Sequence, residues 1–189
     1  MRAYWSAACR ETGSLRKLVF AAMMGAVVVA VAGLFIPVGE NLRVYFGYLA
    51  MALCGWVCGP VLACLTGIAA DLIGFMIFPS GPFFAGYTLT AALGGLLYGL
   101  FLYRRPVTLW RLLLCKLTVN VLCNIGLNTV WSAVLFSKGY LFYLGQSIVK
   151  NIVMLPVEVA LLMALLTALR PVLIRTNWVE NKKTGDNGR

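Results

Sequence analysis

Residues 109–136 read LWRLLLCKLTVNVLCNIGLNTVWSAVLF. The run is longer than the roughly 20 mostly apolar residues a helix needs to cross the hydrocarbon of a bilayer. Inside it Lys116, Asn120, Asn124 and Asn128 recur at every fourth position, and Trp131 and Ser132 continue the same face. Amides cannot point at hydrocarbon, because their unpaired polar groups would be costly there. They either join helices together or line a wet or ligand-filled cavity. Three in register, followed by a tryptophan, favour the cavity. Lys116 lies toward the cytoplasmic end, where a long side chain can snorkel to the headgroups.

The rest of the chain is written in the same solvent. Of its 189 residues, 61% are hydrophobic and only 12% are charged, about half the charged fraction of a soluble domain. Five further apolar runs are read as helices: about 18–36, 44–58, 61–78, 84–103 and 144–169. Pro37 and Gly39, Gly59-Pro60, Pro79-Ser80-Gly81-Pro82 and Arg104-Arg105-Pro106 divide them,. The expected fold is an all-α integral membrane protein, a six-transmembrane-helix bundle. Gly59-Pro60 is a weak divider, so a five-helix reading stays open.

The net charge of +10 follows the topology. Arg2, Arg10, Arg16, Lys17, Arg104, Arg105, Arg170, Arg175, Lys182, Lys183 and Arg189 would share one side with six spans. Glu40, Arg43 and Lys138 would occupy the other. The positive-inside rule then places both termini in the cytoplasm, and loops 36–43, 78–84 and 136–145 outside. The expected organisation is a cytoplasmic segment 1–17, a membrane domain 18–175 with an outward-facing pocket, and a polar, disordered cytoplasmic tail 176–189. No cleaved signal peptide is expected. No basic helix or aromatic platform accompanies the charges, which argues against nucleic-acid binding.

Ionisable residues within a membrane are functional candidates by default. Asp71, Lys150 and Glu158 join Lys116 in this class. At 1.5 Å per residue, Asp71 lies roughly 10 Å below the outer end of its helix and Glu158 roughly 20 Å below the start of the last one. Lys150 and Glu158 are two turns apart, so both can face one cavity. The plainer alternative pairs Asp71 or Glu158 with Lys150 or Lys116, ordering the bundle only. Phe83, Phe84 and Tyr87 follow one outer turn, and Tyr140, Phe142 and Tyr143 fill the last outer loop. These rings form an interfacial belt or the walls of a pocket for a flat, polar, anionic ligand.

Two other patterns have plain readings. Cys54, Cys58, Cys64, Cys115 and Cys123 fall within apolar runs, where thiols pack as small hydrophobes, and no metal site is expected. Ala22, Ala26 and Ala30 line one face of the first helix, with Gly25 and Gly33 nearby. Such faces allow close helix approach, within the bundle or against a partner subunit. The chain has no histidine, so a Ser-His-Asp set is impossible, and no enzyme activity or cofactor is expected.

A longer pattern resembles a known family. It runs Asn41-Leu42-Arg43-Val44-Tyr45-Phe46-Gly47, Gly59-Pro60, Gly67, Asp71-Leu72-Ile73-Gly74 and Pro79-Ser80-Gly81-Pro82-Phe83-Phe84. It continues with Gly86-Tyr87-Thr88-Leu89-Thr90, Leu97-Tyr98-Gly99 and Asn124-Ile125-Gly126-Leu127-Asn128-Thr129-Val130-Trp131. Over residues 15 to 175 it is similar to the S components, the substrate-binding subunits, of energy-coupling factor transporters, and specifically to their folate branch. The resemblance implies a six-helix plasma-membrane subunit that binds vitamin tightly from outside. It implies association with a transmembrane T component and two cytoplasmic ATPases, the Ala22–Ala26–Ala30 face docking on the T component, and toppling to release cargo. This chain lacks a Walker loop, so hydrolysis belongs to a partner.

Under that resemblance, Asp71 or Glu158 accepts the pterin's donor pair, Asn124 or Asn128 reads the other ring edge, and Asn120 belongs to the same substrate-binding set. Phe83, Phe84, Tyr87 and Trp131 sandwich the rings, and Arg43 or Lys150 meets the glutamate tail. The alternatives are an S component for riboflavin, thiamine or pantothenate, and a proton-coupled secondary carrier working through Asp71 or Glu158.

Overall fold

The computed structural model of the chain describes residues 12–33, 35–39, 42–79, 83–136, 140–176 and 178. The expected tail beyond 178 and the first eleven residues lie outside these. Helix α1 (Leu15–Ala32) follows Ser14, whose extended backbone breaks the chain before the first turn. An antiparallel hairpin comes next, β1 (Phe35–Gly39) against β2 (Leu42–Tyr45), with Ile36 opposite Val44 and Pro37 opposite Arg43. Helices α2 (Gly47–Cys58), α3 (Pro60–Ile77) and α4 (Ala85–Leu102) follow. The asparagine-bearing run forms α5 (Leu109–Val119), a π-helical stretch (Asn120–Leu127) and α6 (Asn128–Phe136) in unbroken succession. Helix α7 (Tyr140–Arg175) closes the fold and contains Pro156 and Pro171.

The helical reading holds, with five helices long and apolar enough to cross a membrane. The sixth apolar helix, α2, has only 12 residues. Three boundaries differ from expectation. The first span ends at Ala32 instead of Ile36, and the second starts at Gly47 instead of Val44, because the intervening apolar residues pair as strands. Tyr140, Phe142 and Tyr143 belong to α7 instead of an outer loop.

Helix α2 is the centre of the bundle: nine of its residues are buried, among them Trp56, Cys54 and Cys58. They join Ala21 of α1, Leu62 of α3, Leu102 of α4, Leu112 and Cys115 of α5, and Leu162 and Leu166 of α7 in one apolar cluster. None of the five described cysteines is in a disulfide, and four of them are buried, as packing residues would be. Between α3 and α4 the backbones nearly touch, since a Cβ added at Gly95 would collide with the Ala63 carbonyl. Side chains such as Met76 (82% exposed), Leu65 and Ile73 cover the outside of α3, as a lipid-facing surface requires.

The two ends of the described chain meet. Arg16 donates from Nη2 to the Thr176 carbonyl at 2.9 Å, and its guanidinium lies 4.3 Å from the Trp178 ring centroid. Phe20 meets the same indole at 5.1 Å. The start of α1 and the end of α7 therefore lie at one end of the bundle.

Candidate binding site

The polar side chains gather where α5, the π-helical stretch and α6 run beside α7. In an α-helix, residues four apart drift about 40° around the axis. A π-helix has a wider turn closed by i→i+5 bonds, which offsets that drift over Asn120–Leu127. The amides thus remain stacked. Asn124 donates from Nδ2 to Asn120 Oδ1 at 3.0 Å, and Asn128 donates to Asn124 Oδ1 at 3.5 Å.

At the deep end, Asn120 is 1% exposed and donates to Glu158 Oε2 at 3.3 Å. The same carboxylate oxygen lies 3.3 Å from Lys116 Nζ. Lys116 also reaches the Tyr98 hydroxyl at 3.4 Å and sits 3.8 Å from the Tyr48 ring centroid. Lys116 does not snorkel; it is buried. Of the two readings open for Glu158, the internal pairing with Lys116 is the arrangement in the structure. A buried charge of this kind persists because its partner, a hydrogen bond and a ring face offset its desolvation.

Helix α7 braces the ladder from the side. Asn124 donates to Asn151 Oδ1 at 3.2 Å, Asn151 donates to the Ser147 carbonyl at 2.7 Å, and Ser147 Oγ donates to the Asn124 carbonyl at 3.5 Å. Asn151 and Ser147 were not expected site residues. Their signal was present, since 147, 151 and 158 fall on one helical face, with Asn151 aligned to Glu158 better than Lys150 is. Lys150 is partly buried, about 100° round the helix from Asn151.

One turn beyond Asn128, the ladder meets an aromatic group. Trp131 donates from Nε1 to Thr90 Oγ1 at 3.1 Å, and its ring lies 5.3 Å from that of Phe84. Phe84 meets Tyr87 at 6.2 Å, edge to face, and the Tyr87 hydroxyl is 3.4 Å from Ser132 Oγ. Gly86 admits this cluster: a Cβ there would stand 2.7 Å from Trp131 Cδ2 and collide with the Phe84 ring. Asn128 Oδ1 beside this group, Thr129 Oγ1 one residue on, and the Tyr48 hydroxyl at the deep end near Lys116 are buried and have no hydrogen-bond partner among the described residues.

The remaining expected residues stand apart. Asp71 accepts from Thr88 Oγ1 at 2.7 Å between α3 and α4. Thr88 lies about 100° round α4 from Tyr87. Phe83 is half exposed and packs edge-on against Phe75 at 5.2 Å. Arg43 is on β2 opposite Pro37, and its side chain falls outside the described set. Ala22, Ala26 and Ala30 are exposed along α1, so the described residues leave their face uncovered.

The arrangement suits capture of a flat heterocycle: amides in a fixed row for its edge, and rings at the end of that row for its faces. No group of three or more metal-ligating side chains occurs among the described residues.

Comparison with known proteins agrees with this architecture. The family model described as "ECF-type riboflavin transporter, S component" matches residues 12–171. A protein named folate transporter FolT from Clostridium novyi is 37% identical over 117 residues, covering 62% of this chain and 68% of the relative. Another of that name from Leuconostoc mesenteroides is 31% identical over 153 residues, covering 77% and 82%. A crystal structure of FolT bound with folic acid superimposes with a TM-score of 0.73 at 28% identity, covering 79% of this chain and 91% of that one.

Proposed function

We propose a folate-capturing role from one premise: the chain belongs to the S-component family of energy-coupling factor transporters. It is the folate-binding membrane subunit of an importer: its curated relatives are named folate transporter FolT, and the structural neighbour is FolT bound with folic acid. The observation that carries the reading is the asparagine ladder ending at the Trp131–Phe84–Tyr87 group. Amides give a pterin edge its hydrogen bonds, and the rings give its faces a stacking surface. Asn120, Asn124, Asn128, Trp131, Phe84 and Tyr87 form the binding set. Asp71 and Phe83 contribute from the α3–α4 side, and Arg43 and Lys150 attract the glutamate tail. Glu158 acts through its contacts with Lys116 and Asn120.

The importer works as a complex in the plasma membrane. Six spans place both termini in the cytoplasm, a reading supported by the meeting of Arg16 with Thr176 and Trp178 and by the cations clustered at the chain ends. The membrane domain covers 18–175, with its pocket facing outward. The exposed Ala22–Ala26–Ala30 face docks on a T component, and two cytoplasmic ATPases drive the cycle.

The test is equilibrium binding of tritiated folate to the detergent-purified chain, with riboflavin and thiamine as competitors. Tight binding displaced by folates alone is expected. Retention of riboflavin with no affinity for folate would keep the family and discard the vitamin.

A further inference from the structure

The ladder has a direction, and the groups that impose it lie away from its ligand end. A carboxylate has only acceptor capacity, while an asparagine amide offers both an acceptor oxygen and a donor nitrogen. Glu158 Oε2 receives Lys116 on one side and Asn120 Nδ2 on the other, at 3.3 Å each. Asn120 must therefore turn its nitrogen toward Glu158 and its oxygen toward Asn124. A second acceptor-only group acts on the next rung. The Ser147 carbonyl takes Asn151 Nδ2 at 2.7 Å, so Asn151 turns its oxygen toward Asn124. Both oxygens then face Asn124 Nδ2, at 3.0 and 3.2 Å. Asn124 has only its oxygen left for Asn128, which donates to it at 3.5 Å. What remains at the end is Asn128 Oδ1, buried and without a hydrogen-bond partner among the described residues.

We infer that Glu158 and Asn151 are positioning residues that hold Asn128 as an acceptor, so that the site selects a ligand presenting an N–H donor beside Trp131. The inference rests on the folate reading and adds to it the atom that reads the ring and the groups that orient that atom. The 2-amino group of a pterin supplies the donor. A pteridine with a 2-oxo group in its place sets oxygen against oxygen, and a buried acceptor facing another acceptor is rejected strongly. Neither Glu158 nor Asn151 needs to touch the ligand. Their effect travels through amide orientation, which side-chain deletion and a ligand change together expose.

The experiment measures binding of folate and of its 2-oxo analogue to the wild-type chain, to Asn128→Ala, and to the double variant Glu158→Gln/Asn151→Ala. Wild type is expected to prefer folate by at least about 100-fold. In Asn128→Ala the preference should fall below about tenfold, since the acceptor is gone. In the double variant the row of amides is free to reverse, and the preference should fall similarly through a gain in affinity for the 2-oxo analogue. Equal weakening of both ligands in the double variant, with the preference intact, would reduce Glu158 and Asn151 to structural ties and overturn the inference. If the double variant fails to fold, persistence of the full preference in Asn128→Ala overturns it instead. A wild-type chain that binds no folate removes the folate reading and this inference together, whereas folate binding without discrimination removes only the inference.

Discussion

Lys116 and Glu158 face each other at 3.3 Å inside the bundle, with the Tyr48 ring centroid 3.8 Å from the ammonium. Removing one partner strands the other charge in a site where only 3% of the lysine side chain and 12% of the glutamate side chain meet solvent. Lys116→Ala and Glu158→Ala should each cost about 3–5 kcal/mol. Lys116→Met/Glu158→Leu removes both charges and keeps the volume, so it should cost less than either single change. Thermal unfolding in detergent reads the difference. A single variant melting within about 2 °C of wild type would show that the pair contributes little.

Trp131 is held by Thr90 and packed on Phe84, so it is a preorganised stacking surface. Aromatic stacking on a heterocycle contributes about 1–3 kcal/mol. Trp131→Ala should therefore weaken folate binding roughly 10- to 100-fold, and Trp131→Phe should lose less. Equilibrium binding decides, and an unchanged affinity in Trp131→Ala would remove this ring from the site.

Gly86→Ala tests the tightness of the same cluster. The added methyl would press on Phe84 and Trp131, an overpacking that typically costs about 1–3 kcal/mol. The expected result is weaker folate binding, with a smaller loss of thermal stability because the cluster lies at one end of α4. A fall in melting temperature with intact affinity would contradict this placement.

Asp71 and Thr88 offer a way to separate ligand contact from packing. Asp71→Asn keeps an acceptor for Thr88 Oγ1, now 2.7 Å away, but removes the charge. If the carboxylate serves a ligand, affinity for folate should fall about tenfold, since hydrogen bonds to charged groups contribute about 1.5–3 kcal/mol. Thr88→Val should leave affinity closer to wild type. Equal effects of the two changes on affinity would assign Asp71 to the α3–α4 packing alone.

The exposed face of α1 should matter only in the complex. Replacing Ala22, Ala26 and Ala30 by leucine fills a surface on which a helix could approach closely. Folate binding by the isolated subunit should stay within about twofold of wild type, since these residues are exposed and distant in sequence from the ladder. ATP-dependent uptake by the assembled importer should fall at least about tenfold. Normal uptake by the triple variant would move the docking face elsewhere.

Much of this was legible before the structure because lipid constrains sequence so strongly. Long apolar runs had to be helices, and Asn120, Asn124 and Asn128 had to face one another or a ligand. The misses have physical reasons. Phe35 and Ile36, and Val44 and Tyr45, are apolar enough to extend the neighbouring spans, and nothing in their hydropathy distinguishes a strand end from a helix end. Lys116 is near enough to the start of α5 for snorkelling to look sensible; the rings of Tyr48 and Tyr98, brought from α2 and α4, are long-range contacts that no local pattern reveals. Asn151 was overshadowed by its charged neighbour Lys150, although periodicity aligned it with Glu158. The π-helical stretch has no compositional signature of its own here.

That stretch makes the fifth span sensitive to its own residue count. At about 100° per residue, the eight steps from Asn120 to Asn128 wound as a regular α-helix would end about 80° out of line. Seven such steps would end only about 20° out of line, so losing one residue between 124 and 128 would let the helix regularise with Asn128 and Trp131 still near the face of Asn120. Between two chains of this type, a one-residue gap in this segment would therefore exchange a π-helical span for an α-helical one and leave the two ends of the ladder on one face.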